Sequence, residues 1–464
     1  MTARPAFFSS PRFAAVAAEL APLADRFATA GHRLYLVGGT VRDLVAGDER
    51  PQFDLDATTT AHPSEIKRLL QGWADAVWTQ GERFGTIGAM KRSDGPAGPG
   101  TVERVFEITT HRAEAYRGDS RKPDVAFSDD VVADLSRRDF TVNAMAIEVT
   151  SSAPTLVDPF HGAEDLAARV LRTPRTSHES FSDDPLRMLR AARFVARYGL
   201  TPVDDLLDAI ASMAERMAIV SAERIRDELD KLLVGPDPAT GMRFVVDTGL
   251  APYVVPELAP AGVAAPATSP WPLEVLAAVP AGHRLARWAA LFVEHAPEVV
   301  RARLRALRAS SADVAEVSAL VELHRWVVGS VVGSLDGSVE GSLGAEVAWS
   351  DGEVRRLAHR AGALLDDLLV LAVAAAPAGP SHDRHVSRLD DLAARVRLLS
   401  SREDLGALRP ELDGAEVMGV LELQPGRQVG EAMAFLLDLR LDRGPIGRDA
   451  ATEALREWWT RHST

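Results

Sequence analysis

Apolar residues recur at helical spacing over Phe13–Ala30, and Gly31 marks a stop. Beyond it the period changes. Short apolar or alternating runs predict strands at Arg33–Val37, Phe53–Thr58, Ala76–Thr79, Thr86–Lys91 and Val102–Thr109. His62–Gly72 reads as a helix with Pro63 in its first turn, and SDGPAGPGT (Ser93–Thr101) as a flexible turn between the last two strands. This small mixed α/β unit ends near Val149, after RRDFTVNAMAIEV. From about Phe181 onward strand signals nearly vanish. DDPLRMLRAARFVARYGL, LLDAIASMAERMAIV and SAERIRDELDKLLV are amphipathic helices, and the remainder alternates helical segments with Pro/Gly breaks. The repeat VVGSVVGSLDGSVEGS, with Gly-Ser every fourth residue from Gly329 to Ser342, predicts a loop or linker, because glycine at that density weakens a helix.

Composition narrows the class without naming a function. At 464 residues there is room for two to four domains, and 46% hydrophobic with 25% charged residues is ordinary for a soluble globular chain. No apolar run has bilayer length, and MTARPAFFSS lacks the order of a signal peptide, so the cytoplasm is the expected compartment. Zero cysteines exclude disulfides and thiolate metal sites. A net charge of −14 argues against a generally basic nucleic-acid binder, though not against a local basic face. Only Lys67, Lys91, Lys122 and Lys231 are lysines, so nearly all positive charge is arginine, which reads mainly as composition bias.

The candidate chemistry starts at LVGGTVRDLVAGDERPQFDLDATTT (Leu36–Thr60). Side chains at i and i+2 of a strand share a face, so Asp54 and Asp56 sit together. Two such carboxylates repel unless a cation lies between them. A solvated edge strand with incidental acids is the plain alternative. Gly38 and Gly39 follow an apolar strand and precede a helix, a turn that lets backbone approach phosphate, with Arg42 one turn in as a further contact. Alone such a turn is often purely structural. A phosphate cradle followed closely by an Asp-x-Asp strand is what two-metal nucleotidyl transfer needs, with hard oxygen ligands for Mg²⁺. Glu107, in VFEITTHR, is the candidate third carboxylate; an arginine partner is its other reading.

Two further clusters follow. In DLSRRDFTVNAMA, Arg138 could hold a phosphate or ribose with Asp139 orienting it; a surface ion-pair cluster is the alternative. In DDPLRMLRAARF, Asp184, Arg187, Arg190 and Arg193 succeed one another at i+3 along a helix ridge, backed by Met188, Leu189, Ala192 and Val195. Cytosine and adenine carry an amino group where uracil and guanine carry a carbonyl. A buried Asp–Arg pair would accept from that amino group and donate to the neighbouring ring atom, selecting C and A together.

In this order, VGGTVRD, FDLDATT, FEITTHR, RRDFTVNAMA, DDPLRMLRAARF and ERIRDELDKLL closely resemble the class II tRNA nucleotidyltransferases. These are the CCA-adding enzymes and their relatives the bacterial poly(A) polymerases. The match is strong through about Leu233 and weaker in DGAEVMGVLELQPGRQVGEAMAFLLDLR. The resemblance implies an α+β protein: a polymerase-beta-like nucleotidyltransferase head (1–150), then an all-α neck that reads the base (151–235), body (236–375) and tRNA-binding tail (376–464). It implies Mg²⁺ on Asp54 and Asp56, with Glu107 as a third acid, and triphosphate on Gly38, Gly39 and Arg42. Arg138 would contact the nucleotide, with Asp139 beside it. Asp184 and Arg187 would read the base, supported by Arg190 and Arg193. ERIRDELDKLL (Glu223–Leu233) would brace the neck. The implied partners are tRNA, CTP and ATP, with no membrane.

One departure stands out. Many bacterial relatives carry a His-Asp phosphohydrolase-like segment after the neck; here RWAALFVEHAPEVV has Val293 and Glu294 at that place. His295 and His324 are too few for such a site, and His382–Asp383 reads as part of a Pro/Gly-rich loop, so no phosphohydrolase activity is expected. PGRQVGEA in the tail is a turn into a helix that could hold a backbone phosphate. The rivals to CCA addition are a poly(A) polymerase or an enzyme restricted to CC or A, their differences lying partly in Arg112–Asp134. From another class, the rival is a non-catalytic RNA-binding relative.

Overall fold

The computed structural model describes residues 5–50, 54–94, 101–114, 126–258, 272–335, 349–376 and 382–462. It divides into two compact units, Met1–Arg224 with Phe244–Val254, and Ile225–Arg243 with Val255–Thr464.

In the first unit, Ser10 caps α1 (Pro11–Thr29) by accepting from Phe13 N, and Val16, Leu20, Leu23 and Phe27 form its buried stripe. The chain then runs through β1 (Leu34–Val37), α2 (Gly39–Val45), β2 (Leu55–Thr59), α3 (Pro63–Leu70), β3 (Ala76–Trp78), β4 (Thr86–Asp94) and β5 (Thr101–Thr110). Next come β6 (Arg112–Glu114), β7 (Ala126–Phe127), α4 (Val131–Ser136), β8 (Ala146–Glu148) and β9 (Thr155–Val157). Among the described residues seven strands make one sheet in the order β3-β4-β5-β2-β1-β8-β9, antiparallel except for the parallel β2–β5 pair. Leu55, Ala57, Ile87, Ala89, Phe106 and Ile108 point to one face, where they join the core under α1 and α3. The other face carries the chemistry.

After this sheet come α5 (Gly162–Ala168), β10 (Val170–Leu171), α6 (Ser177–Asp183), α7 (Leu186–Tyr198), β11 (Thr201–Pro202), α8 (Asp204–Met213) and α9 (Ala222–Leu233). A capping box at Thr176 and Glu179 starts α6, and Gly199 in the left-handed region stops α7. The α+β reading therefore holds: a mixed-sheet head followed by a largely helical remainder.

The second unit is helical among its described residues. Asp230 accepts from the Trp288 indole at 2.7 Å and from Arg284 at 2.8 Å, while the Arg355–Glu403 pair (2.8 Å) is almost wholly buried. Near its end Leu412, Val417, Ala432, Leu436, Ala451 and Leu455 form a separate core cluster.

Several expectations need correction. The strand expected at Phe53–Thr58 runs Leu55–Thr59; Phe53 lies outside the described residues, as does most of the turn expected at Ser93–Thr101. The head's sheet does not end at Val149, because β9 adds an edge strand. The Gly-Ser repeat is no linker as far as it is described, since helix Ser311–Leu335 continues through Gly329, and residues 336–348 lie outside the description. Extending an existing helix costs only about 1 kcal/mol per glycine, whereas starting one is far harder. His382–Asp383 opens helix His382–Ser400 instead of lying in a loop.

Candidate active site

Sheet register builds the acidic centre. Asp56 on β2 lies directly opposite Glu107 on β5, and the two-residue period puts Asp54, just before β2, on the same side. Asp56 is half-buried, while Asp54 and Glu107 are exposed. Burial, then the charges of Glu107 and Asp54, push the Asp56 carboxyl up to about 6, against the pull of Arg138. The sheet thus concentrates negative charge where it is costly.

The glycine turn closes over this centre. Gly38 has φ 75°, a conformation that suits glycine, and a Cβ there would stand 3.4 Å from Asp56 Oδ2 and 3.8 Å from an Arg138 guanidinium nitrogen. Gly39 is the first residue of α2, and Thr40 Oγ1 donates to the Asp54 carbonyl at 2.5 Å, tying the turn to β2. Gly38, Asp56 and Arg138 are therefore neighbours. Behind them, buried His111 shares a 2.8 Å hydrogen bond between its Nδ1 and Thr58 Oγ1, and burial lowers its pKa, so it braces β2 as a neutral ring.

Arg138 and Asp139 part company, against the expectation that one orients the other. Arg138 pairs with Asp134 at 3.4 Å, one helical turn back. Asp139 accepts from Arg190 Nε at 3.0 Å and Nη2 at 2.6 Å, and from Asn143 Nδ2 at 3.0 Å. Burial alone raises the Asp139 carboxyl, but the Arg190 charge and the bonds from Arg190 and Asn143 reverse this and hold it well below the usual carboxylate range.

Arg42 is not a free phosphate ligand. Its Nε and Nη2 donate to Asp43 Oδ1 at 2.9 and 2.7 Å, its Nη1 to Asn143 Oδ1 at 2.8 Å, and its guanidinium lies 4.3 Å from the Tyr198 ring centroid. It is a buried strut beneath the glycine turn.

The ridge of Arg187, Arg190 and Arg193 lies on α7, whereas Asp184 precedes the helix and accepts from Leu186 N at 3.2 Å. Arg187 donates to Ser180 Oγ at 2.8 Å and to the Arg137 carbonyl, and burial lowers its pKa while Asp139 and Asp184 offset part of that effect. Asp184 Oδ2 is instead held by Arg224 at 2.7 Å. Arg193 lies 5.1 Å from the Phe194 ring centroid. Sequence reasoning missed Arg224, Asp134 and His111; the i, i+4 spacing of Asp134 and Arg138 was the available signal for one of them.

A divalent cation fits this centre. Among the described residues no three His, Asp or Glu side chains form a ready-made cage. A hard cation held by one or two carboxylates and completed by phosphate oxygens and water needs none, and Asp54, Asp56 and Glu107 offer hard oxygen donors on one side of the sheet. In the second unit Val293 is buried and Glu294 exposed, and burial pulls His324 down to about 4 with neither ring nitrogen hydrogen-bonded. No helix among the described residues is long and apolar enough to cross a membrane.

Residues 34–172 match the family described as the poly A polymerase head domain, and residues 199–261 the one described as a probable RNA and SrmB-binding site of polymerase A. The chain is 36% identical over 233 residues to the CCA-adding enzyme of Lacticaseibacillus paracasei, covering 50% of this chain and 54% of the relative. It is 38% identical over 225 residues to that of Geobacillus kaustophilus, covering 48% and 51%. The chain thus spans about half the length of the curated relatives it matches. Across the whole fold it is similar to the Bacillus stearothermophilus CCA-adding enzyme in complex with CTP (TM-score 0.67, 24% identity, 98% of this chain and 99% of that one). It is also similar to the Thermotoga maritima CCA-adding enzyme complexed with tRNA (TM-score 0.62, 18% identity, 97% and 96%).

Proposed function

Starting from a chain whose N-terminal half belongs to the class II CCA-adding enzyme family, we propose that it is a tRNA nucleotidyltransferase that adds C, C and A to the tRNA 3′ end from CTP and ATP, in the cytoplasm, without a nucleic-acid template. The observation that carries this reading is the row of Asp54, Asp56 and Glu107 beneath the Gly38 turn, with Arg138 against Asp56. Asp54 and Asp56 hold Mg²⁺ in this reading, with Glu107 as the added acid. Bound there, the metal lowers the pKa of the attacking hydroxyl and neutralises charge on the phosphates.

The chain's own residues do the rest. Gly38 and Gly39 let backbone amides approach the triphosphate, and Arg138 adds a cation beside it. Asp184 accepts from the amino group shared by cytosine and adenine, Arg187 donates to the adjacent ring atom, and Asp139 aligns Arg190 beneath them. The tRNA 3′-hydroxyl then attacks the α-phosphorus, and pyrophosphate leaves. Residues 1–150 supply the chemistry, 151–235 the base reading, 236–375 a helical body and 376–464 the tRNA grip.

The test is extension of tRNA transcripts ending before CCA, after C and after CC, with each nucleotide singly and with CTP plus ATP. Growth stopping at CCA, with UTP and GTP ignored, is the expected result. Long A tails would make it a poly(A) polymerase, single-step addition a CC- or A-adding enzyme, and binding without extension a non-catalytic relative.

Arg224 gives a sharper check on base reading. Its ion pair fixes Asp184 Oδ2, so Arg224→Ala should leave addition of C intact but raise misincorporation of U about tenfold, because a freed carboxylate rejects a carbonyl less strictly. Unchanged misincorporation would take Arg224 out of base selection.

A further inference from the structure

The acidic row does not end at Glu107. Glu107 on β5 lies opposite Gly88 on β4, and Gly88 opposite Trp78 on the edge strand β3. Paired residues on adjacent strands share a face, about 4.8 Å apart. Asp56, Glu107, Gly88 and Trp78 therefore form one line across four strands.

Gly88 makes room for the ring. A Cβ there would stand 2.0 Å from Trp78 Nε1 and 2.1 Å from Cε2, so the indole lies across the Gly88 backbone. Trp78 is half-buried. The next line on this face continues the apolar surface: Ala76, Met90 and Val105 lie opposite one another, and Val105 is 53% exposed. The opposite face of β4 and β5 is core, while Val77 on the edge strand β3 is exposed there. An aromatic ring thus shares a face with the carboxylate of Glu107, two strands away, with exposed Val105 beside it.

Sheet order says what it could receive. Gly38 follows β1, and Arg138 precedes β8, both on one side of β2; Trp78 is on the other, beyond β5 and β4. The triphosphate and the base read by Asp184 and Arg187 occupy the first side in the function proposed above. The attacking 3′-hydroxyl then comes from the second. We propose that Trp78 is the stacking platform for the 3′-terminal base of the RNA acceptor. This rests on the nucleotidyltransferase reading and adds the seat of the acceptor end. Stacking suits that task because every base has a π-face, and the terminal base changes as each nucleotide is added.

The test uses the full chain with Trp78→Leu, which fills the space over Gly88 without a ring, and Trp78→Phe, which keeps one. Acceptors end either in a normal nucleotide or in an abasic one at the 3′ terminus. Trp78→Leu should raise KM for the normal acceptor about tenfold, with KM for CTP unchanged as evidence that the site is folded, while Trp78→Phe stays close to wild type. The abasic end should impose a similar loss on wild type and little further loss on Trp78→Leu, because the two changes remove one contact. Wild-type KM for RNA in Trp78→Leu, a rise in KM for CTP instead, or an equal abasic penalty in both proteins would overturn the platform and leave Trp78 as a cover for Gly88. Wild type that extends no acceptor would remove the activity on which both readings rest.

Discussion

Asp56→Asn should lower nucleotide addition about a thousandfold and, in the absence of divalent metal at neutral pH, raise the melting temperature. The first effect follows from losing a metal carboxylate that contributes several kcal/mol to the transition state, at about 1.4 kcal/mol per tenfold. The second comes from the folded protein itself. Asp56 is pushed up to about 6, from 3.8 in the unfolded chain, by burial and by the charges of Glu107 and Asp54. A raised carboxyl favours the fold in its neutral form. That contribution is complete below 3.8 and is lost as pH rises through about 6, so at neutral pH the ionised group destabilises the metal-free protein. Asparagine keeps the shape and removes the charge. Wild type should then gain stability from added Mg²⁺ and from acidification toward pH 5, and the variant should show much less of either. Thermal melting with and without Mg²⁺, beside the extension assay, reads both effects. Full turnover in the variant would remove Asp56 from the mechanism; an unchanged melting temperature would mean that the acidic row carries no stored repulsion.

That acidic row was legible in the sequence because its signal is a parity. The predicted strand missed its true ends, yet Asp54 and Asp56 still share a face, since the period of two survives an error at either end. Glu107 was legible as a residue type, but its place opposite Asp56 is a register, which only the folded sheet specifies. The same holds for Trp78 and Gly88, ten residues apart and brought together by a pairing that no local pattern announces. Neighbours in sequence misled where chain direction mattered. Arg138 and Asp139 look like a pair, but consecutive side chains diverge, one toward Asp134 and the other toward α7. Arg42 read as a further phosphate contact because its partners Asn143 and Tyr198 are far along the chain. In the Gly-Ser repeat, propensity lost to the continuation of an established helix.

The largest stability loss is expected at Asp139. It is 8% exposed and carries the negative charge that faces Arg190, with half-buried Arg187 also within its field. Removing one partner of a buried ion pair leaves the other uncompensated, so Asp139→Ala should cost about 3–5 kcal/mol, which lowers the melting temperature on the order of 10 °C. Asp139→Asn, which keeps the shape without the charge, should fall between. The pH dependence separates this from a simple cavity. Because the folded carboxyl lies well below its unfolded value of 3.8, its contribution is complete above 3.8 and is lost as pH falls further. The gap in stability between wild type and Asp139→Asn should therefore narrow on acidification below 3.8, and a constant gap would assign the loss to packing. The damage should also reach substrate binding. Asn143 donates to Asp139 through Nδ2 and accepts from Arg42 through Oδ1, and Arg42 in turn holds Asp43 on α2, the helix that the glycine turn begins. A loosened Asp139 therefore loosens the phosphate cradle as well as the base-reading arginines, and KM for CTP and for ATP should rise together at temperatures where the variant remains folded. A rise for one nucleotide alone would confine Asp139 to the base, and no rise for either would make it a purely structural anchor of α7.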